Sequence, residues 1–210
     1  MSEKRLPNES PKTGTTGPAS EGVPEDALDR GLVALSRFLS RHLRHAPDRI
    51  GITLDEAGWT AIGPLLDAAA RHSLPATRTD LARVVAGNDK RRFAVEGDRI
   101  RAQQGHSVPV DLGLVPLAPP PYLFHGTRPA ALAAIRAEGL RPMTRHHVHL
   151  SADRATARRV GARRGRPVVL TVSAGRLHED GATFQRSGNG VWLTAHVPPG
   201  YLRFPDARSG

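Results

Sequence analysis

The sequence predicts an α+β fold divided into two lobes, and three observations support this. Residues 31–86 carry apolar side chains at helical spacing, whereas residues 122–204 contain short runs typical of strands. A proline-rich stretch at 115–121 lies between them and is typical of an extended linker. The N-terminal residues are rich in Pro, Ser, Thr, Gly and Glu without apolar periodicity, which predicts disorder. The predicted organisation is a disordered tail at 1–28, a first lobe at 29–105, a linker at 106–120 and a second lobe at 121–208.

The first lobe begins with an amphipathic helix predicted over residues 31–45. Its apolar stripe consists of Leu32, Leu35, Phe38, Leu39 and Leu43. Basic side chains lie off that stripe, Arg44 and His45 among them, and Pro47 prevents the helix from continuing. Further helices are predicted at 62–71 and at 80–86, the latter with Thr79 as N-cap and Gly87 as C-terminal cap.

A β-hairpin is predicted to follow these three helices. Residues 92–95 and 99–102 alternate between polar and apolar side chains around a Glu-Gly-Asp turn at 96–98. Three helices followed by a hairpin is the outline of a winged helix. Winged helices commonly bind nucleic acid, although a fold alone does not establish a function.

The second lobe mixes short strands with helices, which predicts an α+β domain with a split sheet. Helices are expected at 130–138, ending at Gly139, and at 153–160. The predicted strands are 122–125, 145–151, 168–172, 190–195 and 202–204.

The composition is basic, with a net charge of +10 and 30 Lys and Arg against 20 Asp and Glu. Only Lys4, Lys12 and Lys90 are lysines, so nearly all of the positive charge is arginine. Arginine matches phosphate oxygens with two parallel hydrogen bonds, which favours a polyanionic partner; arginine-rich codon usage in a GC-rich genome is the alternative explanation. The chain has no cysteine, which excludes disulfides and thiolate metal sites. Without a long apolar run or a signal segment, it is expected to be soluble and cytoplasmic, with no membrane partner.

The heptapeptide RHHVHLS at 145–151 is the most informative stretch for function. Side chains alternate across a strand, so Arg145, His147, His149 and Ser151 are expected to share one face. That row of polar groups is compatible with a metal site or with a pocket for a phosphate-bearing ligand. Two histidines at this spacing could bind zinc, but no third ligand lies at a recognisable spacing, so no metal is expected.

Several motifs together resemble one family, the NAD-dependent RNA 2′-phosphotransferases. The resemblance spans about 170 residues and its motifs occur in order along the chain: LSRFLSRHLRH at 35–45, GITLDEAGW at 51–59, KRRF at 90–93, IRAQQGHS at 100–107, HGT at 125–127, RHHVHLS at 145–151 and SGNGVWL at 187–193. The resemblance implies a winged-helix RNA lobe followed by an ADP-ribosyltransferase-like NAD lobe.

The resemblance also implies a two-step reaction on RNA that bears an internal 2′-phosphate, typically at a tRNA splice junction. The 2′-phosphate attacks C1″ of the nicotinamide ribose of NAD and releases nicotinamide. The ribose O2″ then attacks the phosphorus, which frees the RNA 2′-hydroxyl and releases ADP-ribose 1″,2″-cyclic phosphate. NAD is consumed as a co-substrate, and a monomer is expected.

By the same resemblance, the catalytic set is Arg44, His45, Arg92 and Arg145. The residues that would bind NAD are His125, Gly126, Thr127, His149 and Ser151. Val191 occupies a position where many ADP-ribosyltransferases have a catalytic Glu, and a carboxylate there would repel a phosphate dianion. The arginines at 158–166 could bind the NAD pyrophosphate, bind RNA or solubilise the surface.

The sequence also allows another role for Arg44 and His45 and two other functions for the protein. Arg44 and His45 could simply be a solvated helix end, where the helix dipole favours cations. An ADP-ribosyltransferase that leaves ADP-ribose on a nucleic-acid phosphate end or on a protein would use the same NAD motifs. A non-enzymatic winged-helix protein would bind nucleic acid in a salt-sensitive way and would not bind NAD.

Overall fold

The computed structural model describes residues 25–87, 91–162 and 165–205, and within them the α+β class is confirmed. Residues 1–24 of the tail predicted at 1–28 lie outside the described residues. The remaining four tail residues belong to the first helix, which begins at Glu25. Within the described residues, no helix is long and apolar enough to cross a membrane.

Three helices and a small antiparallel sheet form the first half. The helices are α1 (Glu25–His42), α2 (Ile62–Arg71) and α3 (Arg78–Ala86). The strands are β1 (Thr60–Ala61), β2 (Phe93–Glu96) and β3 (Arg99–Ala102), arranged in the order β1-β3-β2. Apolar side chains from all three helices and from the sheet pack into one core, which includes Leu35, Leu39, Leu43, Leu65, Leu81, Phe93 and Ile100.

The predicted hairpin is confirmed, with Phe93 opposite Ala102 and Glu96 opposite Arg99. The predicted N-cap of the third helix was wrong, because Thr77 rather than Thr79 caps α3. Thr77 Oγ1 accepts a hydrogen bond from Asp80 N at 3.1 Å, and Thr77 N donates to Asp80 Oδ2 at 2.9 Å. This reciprocal capping box satisfies two backbone donors, which a cap at Thr79 could not do with the same partner.

The ends of two predicted helices also differ from the expectation. Helix α1 ends at His42, and residues 43–45 form a turn in which Leu43 N and His45 N still donate to carbonyls four residues earlier. Gly87 has a φ of −77°, so α3 ends without the left-handed residue that a glycine C-terminal cap usually supplies.

The described residues of the second half contain six short strands in two antiparallel sheets. One sheet has the order β4-β6-β9, formed by Leu123–Thr127, Val168–Val172 and Leu202–Arg203. The other has the order β5-β8-β7, formed by Val148–Leu150, Trp192–Thr194 and Phe184–Arg186. Backbone hydrogen bonds between Phe124 and Ser151, at 2.9 and 2.8 Å, join the first strands of the two sheets.

Three helices accompany these sheets: α4 (Leu132–Glu138), α5 (Arg154–Gly161) and α6 (Ala174–Glu179). A second core forms from buried side chains of both sheets, including Leu123, Leu150, Leu170, Val172, Phe184 and Trp192. The sequence did not predict β1, α6 or β7. The strand predicted at 145–151 is shorter, because β5 covers Val148–Leu150 and Ser151 adds the isolated bridge to Phe124.

The proline-rich stretch between the halves is extended, and part of it lies along β7. Leu117 N donates to Phe184 O at 2.8 Å, and Gln185 Nε2 donates to Leu114 O at 2.8 Å. Through these bonds, the chain between the two halves is attached to the sheet β5-β8-β7.

Candidate functional site

Gly105 is the point where side chains from the two halves converge. A Cβ built on Gly105 would lie 3.8 Å from Arg44 Cδ, 3.8 Å from His149 Nε2 and 3.9 Å from Arg145 Nε. Gly105 has a φ of +89°, a conformation that side chains other than glycine rarely adopt. The backbone here therefore leaves room for two arginines and a histidine that are distant in sequence.

Arg44 is held at the end of α1 by the segment that follows the hairpin. Its carbonyl accepts hydrogen bonds from Ser107 N at 2.9 Å and from Val108 N at 3.4 Å. The residue is only 9% exposed, although it carries a full charge. Charged side chains are rarely buried to this extent without a functional or structural reason, so a simple solvated helix end does not describe Arg44.

His45 is exposed and belongs to the same cluster. Its Nδ1 lies 2.9 Å from Ser107 Oγ, a hydrogen bond whose donor depends on the imidazole tautomer. Desolvation, together with the positive charges of Arg145 and Arg44, lowers the pKa of His45 below its usual value. His45 is therefore neutral near pH 7 and lies in the field of both arginines.

Arg92 is linked to this region through backbone pairing. Its carbonyl accepts the Gln103 amide at 2.9 Å, two positions before Gly105. The Gln103 side chain also approaches the second half, because a Cβ on Gly188 would lie 2.3 Å from Gln103 Oε1. The structure thus brings Arg44 and Arg145 together at Gly105, with His45 in their field. The half-buried Arg92 is joined to this region only through its backbone bond to Gln103.

His125 connects β4 to β5. Its Nδ1 donates to the His149 carbonyl at 3.1 Å, since a carbonyl oxygen can only accept. Burial lowers the pKa of His125, although that hydrogen bond opposes the shift. A neutral ring with its proton on Nδ1 presents Nε2 as a hydrogen-bond acceptor.

His149 projects between the two halves. Burial, followed by the charge of Arg145, lowers its pKa to about 3. Its Nε2 is buried and has no hydrogen-bond partner among the described residues. A buried nitrogen of this kind is costly unless a ligand or solvent satisfies it.

Gly126 has a packing role that the sequence did not indicate. A Cβ at Gly126 would lie 1.8 Å from the Ala157 carbonyl oxygen, so α5 packs directly against the backbone of β4. Its neighbour Thr127 ends β4 opposite Val168. Ser151 lies at the bridge between the two sheets and is half-buried.

Val191 lies at the end of a tight turn that begins at Ser187. The buried Ser187 hydroxyl donates to the Val191 carbonyl at 3.0 Å and accepts from the Val191 amide at 3.2 Å. The turn thus fixes Val191 immediately before β8.

Sequence reasoning missed the residues around His106, although the motif at 100–107 was recognised. His106 is 3% exposed, and neither ring nitrogen has a hydrogen-bond partner among the described residues. Burial, followed by the charge of Arg44, lowers its pKa to about 4. Its burial depends on the folding of the chain between the halves, which no local pattern reveals.

His147 and His149 were the candidates for a metal site in the sequence. In the part of the chain that the structure describes, no group of three or more His, Asp or Glu side chains could hold a metal ion.

Arg158 and Arg159 lie exposed on the last turn of α5, where Arg159 donates to Thr156 Oγ1 at 3.0 Å. Arg163 and Arg164 fall outside the described residues.

Comparisons with known proteins identify the family. Residues 30–196 match the RNA 2′-phosphotransferase, Tpt1/KptA family. A protein of Streptomyces coelicolor named "Probable RNA 2′-phosphotransferase" is 66% identical over 173 residues, which cover 82% of this chain and 95% of that protein. Proteins of the same name from Streptomyces griseus and Trichormus variabilis are 60% and 52% identical, covering 83% and 81% of this chain and 97% and 94% of their own lengths. The chain therefore belongs to the RNA 2′-phosphotransferase, Tpt1/KptA family.

Proposed function

We propose that this protein removes an internal 2′-phosphate from RNA and consumes NAD in doing so. The observation that carries the proposal is the convergence of Arg44 and Arg145 at Gly105, with His45 in the field of both. Two arginines and a histidine from distant parts of the chain form a site suited to a phosphate dianion. Membership of the family supports the same substrate.

In this proposal the two halves have separate tasks. Residues 29–105 form a winged-helix RNA lobe, residues 106–120 a linker, and residues 121–208 an ADP-ribosyltransferase-like NAD lobe. The three helices with a β-hairpin, and the two small sheets joined at Phe124 and Ser151, support this division. The RNA phosphate would then meet NAD at Gly105, where side chains from both halves approach each other.

The first step requires binding and orientation more than proton transfer. A phosphomonoester is largely a dianion at pH 7 and is already a nucleophile. Arg44, Arg92 and Arg145 would hold its non-attacking oxygens and point one oxygen at C1″ of the nicotinamide ribose. Nicotinamide leaves as a neutral molecule, so this step needs no general acid. Catalysis here comes from positioning and from charge neutralisation.

The residues of the second half fit a ribose. When bound, NAD supplies the electrophilic C1″ and a neutral leaving group. His125 presents an acceptor nitrogen. The Nε2 of His149, which has no hydrogen-bond partner among the described residues, is a second polar group at the same strands. Together with Thr127 and Ser151, they would bind the hydroxyls of the nicotinamide ribose. Gly126 has no side chain, and α5 packs where a side chain would stand, so only its backbone groups could contact NAD.

The second step needs a proton carrier. The ribose O2″ attacks the phosphorus and loses its proton, while the RNA O2′ leaves and gains one. His45 is neutral near pH 7 and could accept the first proton and donate the second. The arginines would stabilise the additional negative charge on the phosphoryl oxygens. Val191, fixed before β8, places no carboxylate near the incoming dianion.

The test uses radiolabelled NAD and an RNA that bears one internal 2′-phosphate. Loss of the phosphate together with release of ADP-ribose 1″,2″-cyclic phosphate would support the proposal. Stable label on the RNA or on a protein would favour an ADP-ribosyltransferase instead. Salt-sensitive RNA binding without NAD turnover would favour a non-enzymatic binder.

A further inference from the structure

A cavity of about 240 Å³ adjoins the site described above. One wall comes from the segment that follows the hairpin, which includes Gly105 and His106. The opposite wall comes from the sheet β5-β8-β7, where His149, Leu193 and Gln185 stand side by side in register. Because a Cβ at Gly105 would lie within 4 Å of Arg44 and Arg145, this end of the cavity is close to the arginine pair.

The polar groups of the cavity include two buried imidazoles and two amides. His106 is 3% exposed and unpartnered among the described residues at both ring nitrogens, and His149 is unpartnered at Nε2. Gln104 and Gln185 add amide groups to the lining. Burial lowers the pKa of His106 to about 4 and that of His149 to about 3, so both rings are neutral at pH 7. The His106 ring then offers one donor and one acceptor, a pattern that suits an uncharged heterocycle. His149 has a hydrogen bond to the His147 backbone and keeps its Nε2 for the ribose of NAD.

The remaining lining is mixed, because Asp111, His146 and His147 contribute polar groups and four further residues are aliphatic. Val110, Leu112 and Leu114 come from the segment between the halves, and Leu193 lies in the buried sheet. A nucleobase has two apolar faces and a polar edge, so it matches a cavity that combines aliphatic walls with amides and neutral imidazoles. Proteins recognise the splayed bases of single-stranded RNA by stacking on their faces and by hydrogen bonds to their polar edges, and His106 could serve either purpose.

We propose that this cavity binds the base of the nucleotide that carries the 2′-phosphate. The inference rests on the proposed function, because that function places the phosphate at the arginine pair. Within one nucleotide, only an oxygen and two carbons separate the phosphorus from the base nitrogen. A base in the cavity and a phosphate at Arg44 and Arg145 can therefore belong to the same nucleotide.

The nicotinamide ring is the other planar group of suitable size. It carries a positive charge in NAD, and two cations, Arg44 and Arg145, lie at the Gly105 end of the cavity. One carboxylate in the lining opposes them, the exposed Asp111, whose Oδ1 already accepts a hydrogen bond from Gly113 N. The two cations outnumber it, so they disfavour the nicotinamide ring, whereas they do not oppose a neutral base. The observations thus favour the RNA base.

The first test measures equilibrium binding of labelled RNAs to the full chain without NAD. One RNA has the internal 2′-phosphate and its base, and a second has hydrogen in place of that base. A control RNA lacks a base two nucleotides away. We expect the Kd to rise by about tenfold or more for the second RNA and to change little for the control. Equal affinities for the first two RNAs would overturn the inference.

The second test fills the cavity. Leu112→Phe should weaken binding of the RNA with its base and should largely abolish the difference from the RNA without it. The matched control Leu117→Phe, at an exposed leucine of the same segment, should preserve the difference. An unchanged difference in Leu112→Phe would contradict the inference. A rise in KM for NAD with no change in RNA binding would instead assign the cavity to nicotinamide.

The two tests separate this inference from the proposed function. If the protein fails to turn over any of the RNAs with NAD, the proposed function is wrong, yet a base-dependent Kd would still support the cavity as a base site. If turnover occurs equally with and without the base, the function stands and the inference fails.

Discussion

His45 Nδ1 lies 2.9 Å from Ser107 Oγ, a hydrogen bond between the end of α1 and the segment that follows the hairpin. The backbone reinforces this contact, because Ser107 N donates to the carbonyl of Arg44 at 2.9 Å. The imidazole therefore has a fixed neighbour on one nitrogen, and Nε2 is the atom left to face a substrate. Ser107 is thus a positioning residue for the proposed proton carrier.

Ser107→Ala should lower kcat by about tenfold with little change in KM for NAD, because His45 loses its orienting partner. The pH dependence of kcat should also shift, since the partner of Nδ1 affects the imidazole pKa. Ser107→Thr retains the hydroxyl and should recover most of the activity. Steady-state kinetics across pH on the three proteins test this. An unchanged pH profile with only lowered stability would indicate a purely structural role.

Arg92→Ala should slow the second step more than the first. Attack on the phosphorus adds charge to the phosphoryl oxygens, and removing an arginine fork from such a centre is costly. The expected result is accumulation of RNA that carries ADP-ribose on its 2′-phosphate, detected by gel shift with labelled RNA. Arg71→Ala, at an exposed arginine at the end of α2, is the control and should turn over normally. Normal turnover in Arg92→Ala would reject the assigned role.

Gly126→Ala should destabilise the protein by more than about 3 kcal/mol, because the new methyl group would meet the Ala157 carbonyl at 1.8 Å. Gly63→Ala is the matched control, since a Cβ at that helical position meets nothing within 4 Å. That substitution should be neutral or stabilise by up to about 1 kcal/mol. Urea unfolding measures both effects. If Gly126→Ala kept normal stability and lost only NAD affinity, the packing explanation would be wrong.

The free energy of unfolding should fall as the pH drops below about 6.5. Six histidines have a pKa below the unfolded value of 6.5: His42, His45, His106, His125, His147 and His149. Between the folded and unfolded pKa values the unfolded chain binds more protons, so acid favours unfolding. For the buried His106, whose pKa is about 4, the full effect is about 3 kcal/mol and develops between pH 6.5 and 4.

Urea unfolding at about pH 7.5 and about pH 5 checks this expectation. His106→Gln removes one of these groups and should show a smaller decrease in stability over the same interval. A stability that stayed constant or rose on acidification would contradict the assignment of these histidines as neutral in the folded protein.

Local patterns predicted the elements that depend on neighbouring residues. The β2–β3 hairpin followed from alternation around a glycine turn, and α2 followed from its apolar stripe. Three short elements were missed, because β1 has two residues, β7 three and α6 six, too few for a clear periodic signal. The misplaced cap at Thr79 shows a different failure, since Thr77 and Asp80 at capping-box spacing were available in the sequence.

The site depended on contacts that local patterns do not contain. Arg44, Gly105 and Arg145 meet across about a hundred residues of chain, and the glycine at their centre has no side chain to attract notice. The family motifs identified those arginines but gave no role to His106 or Ser107. The burial of His106 and the hydrogen bond of Ser107 to His45 are visible only in three dimensions. Gly126 was assigned to cofactor binding, whereas its contact with Ala157 reveals a packing constraint as well.

In the proposed reaction, loss of the 2′-phosphate is coupled to consumption of NAD. The most direct measurement counts nicotinamide released and 2′-phosphate removed in one reaction with limiting NAD and an RNA bearing a single internal 2′-phosphate. We predict equal amounts of the two, and no phosphate loss without NAD. Release of inorganic phosphate without NAD, or no phosphate loss under saturating NAD, would contradict the proposed reaction.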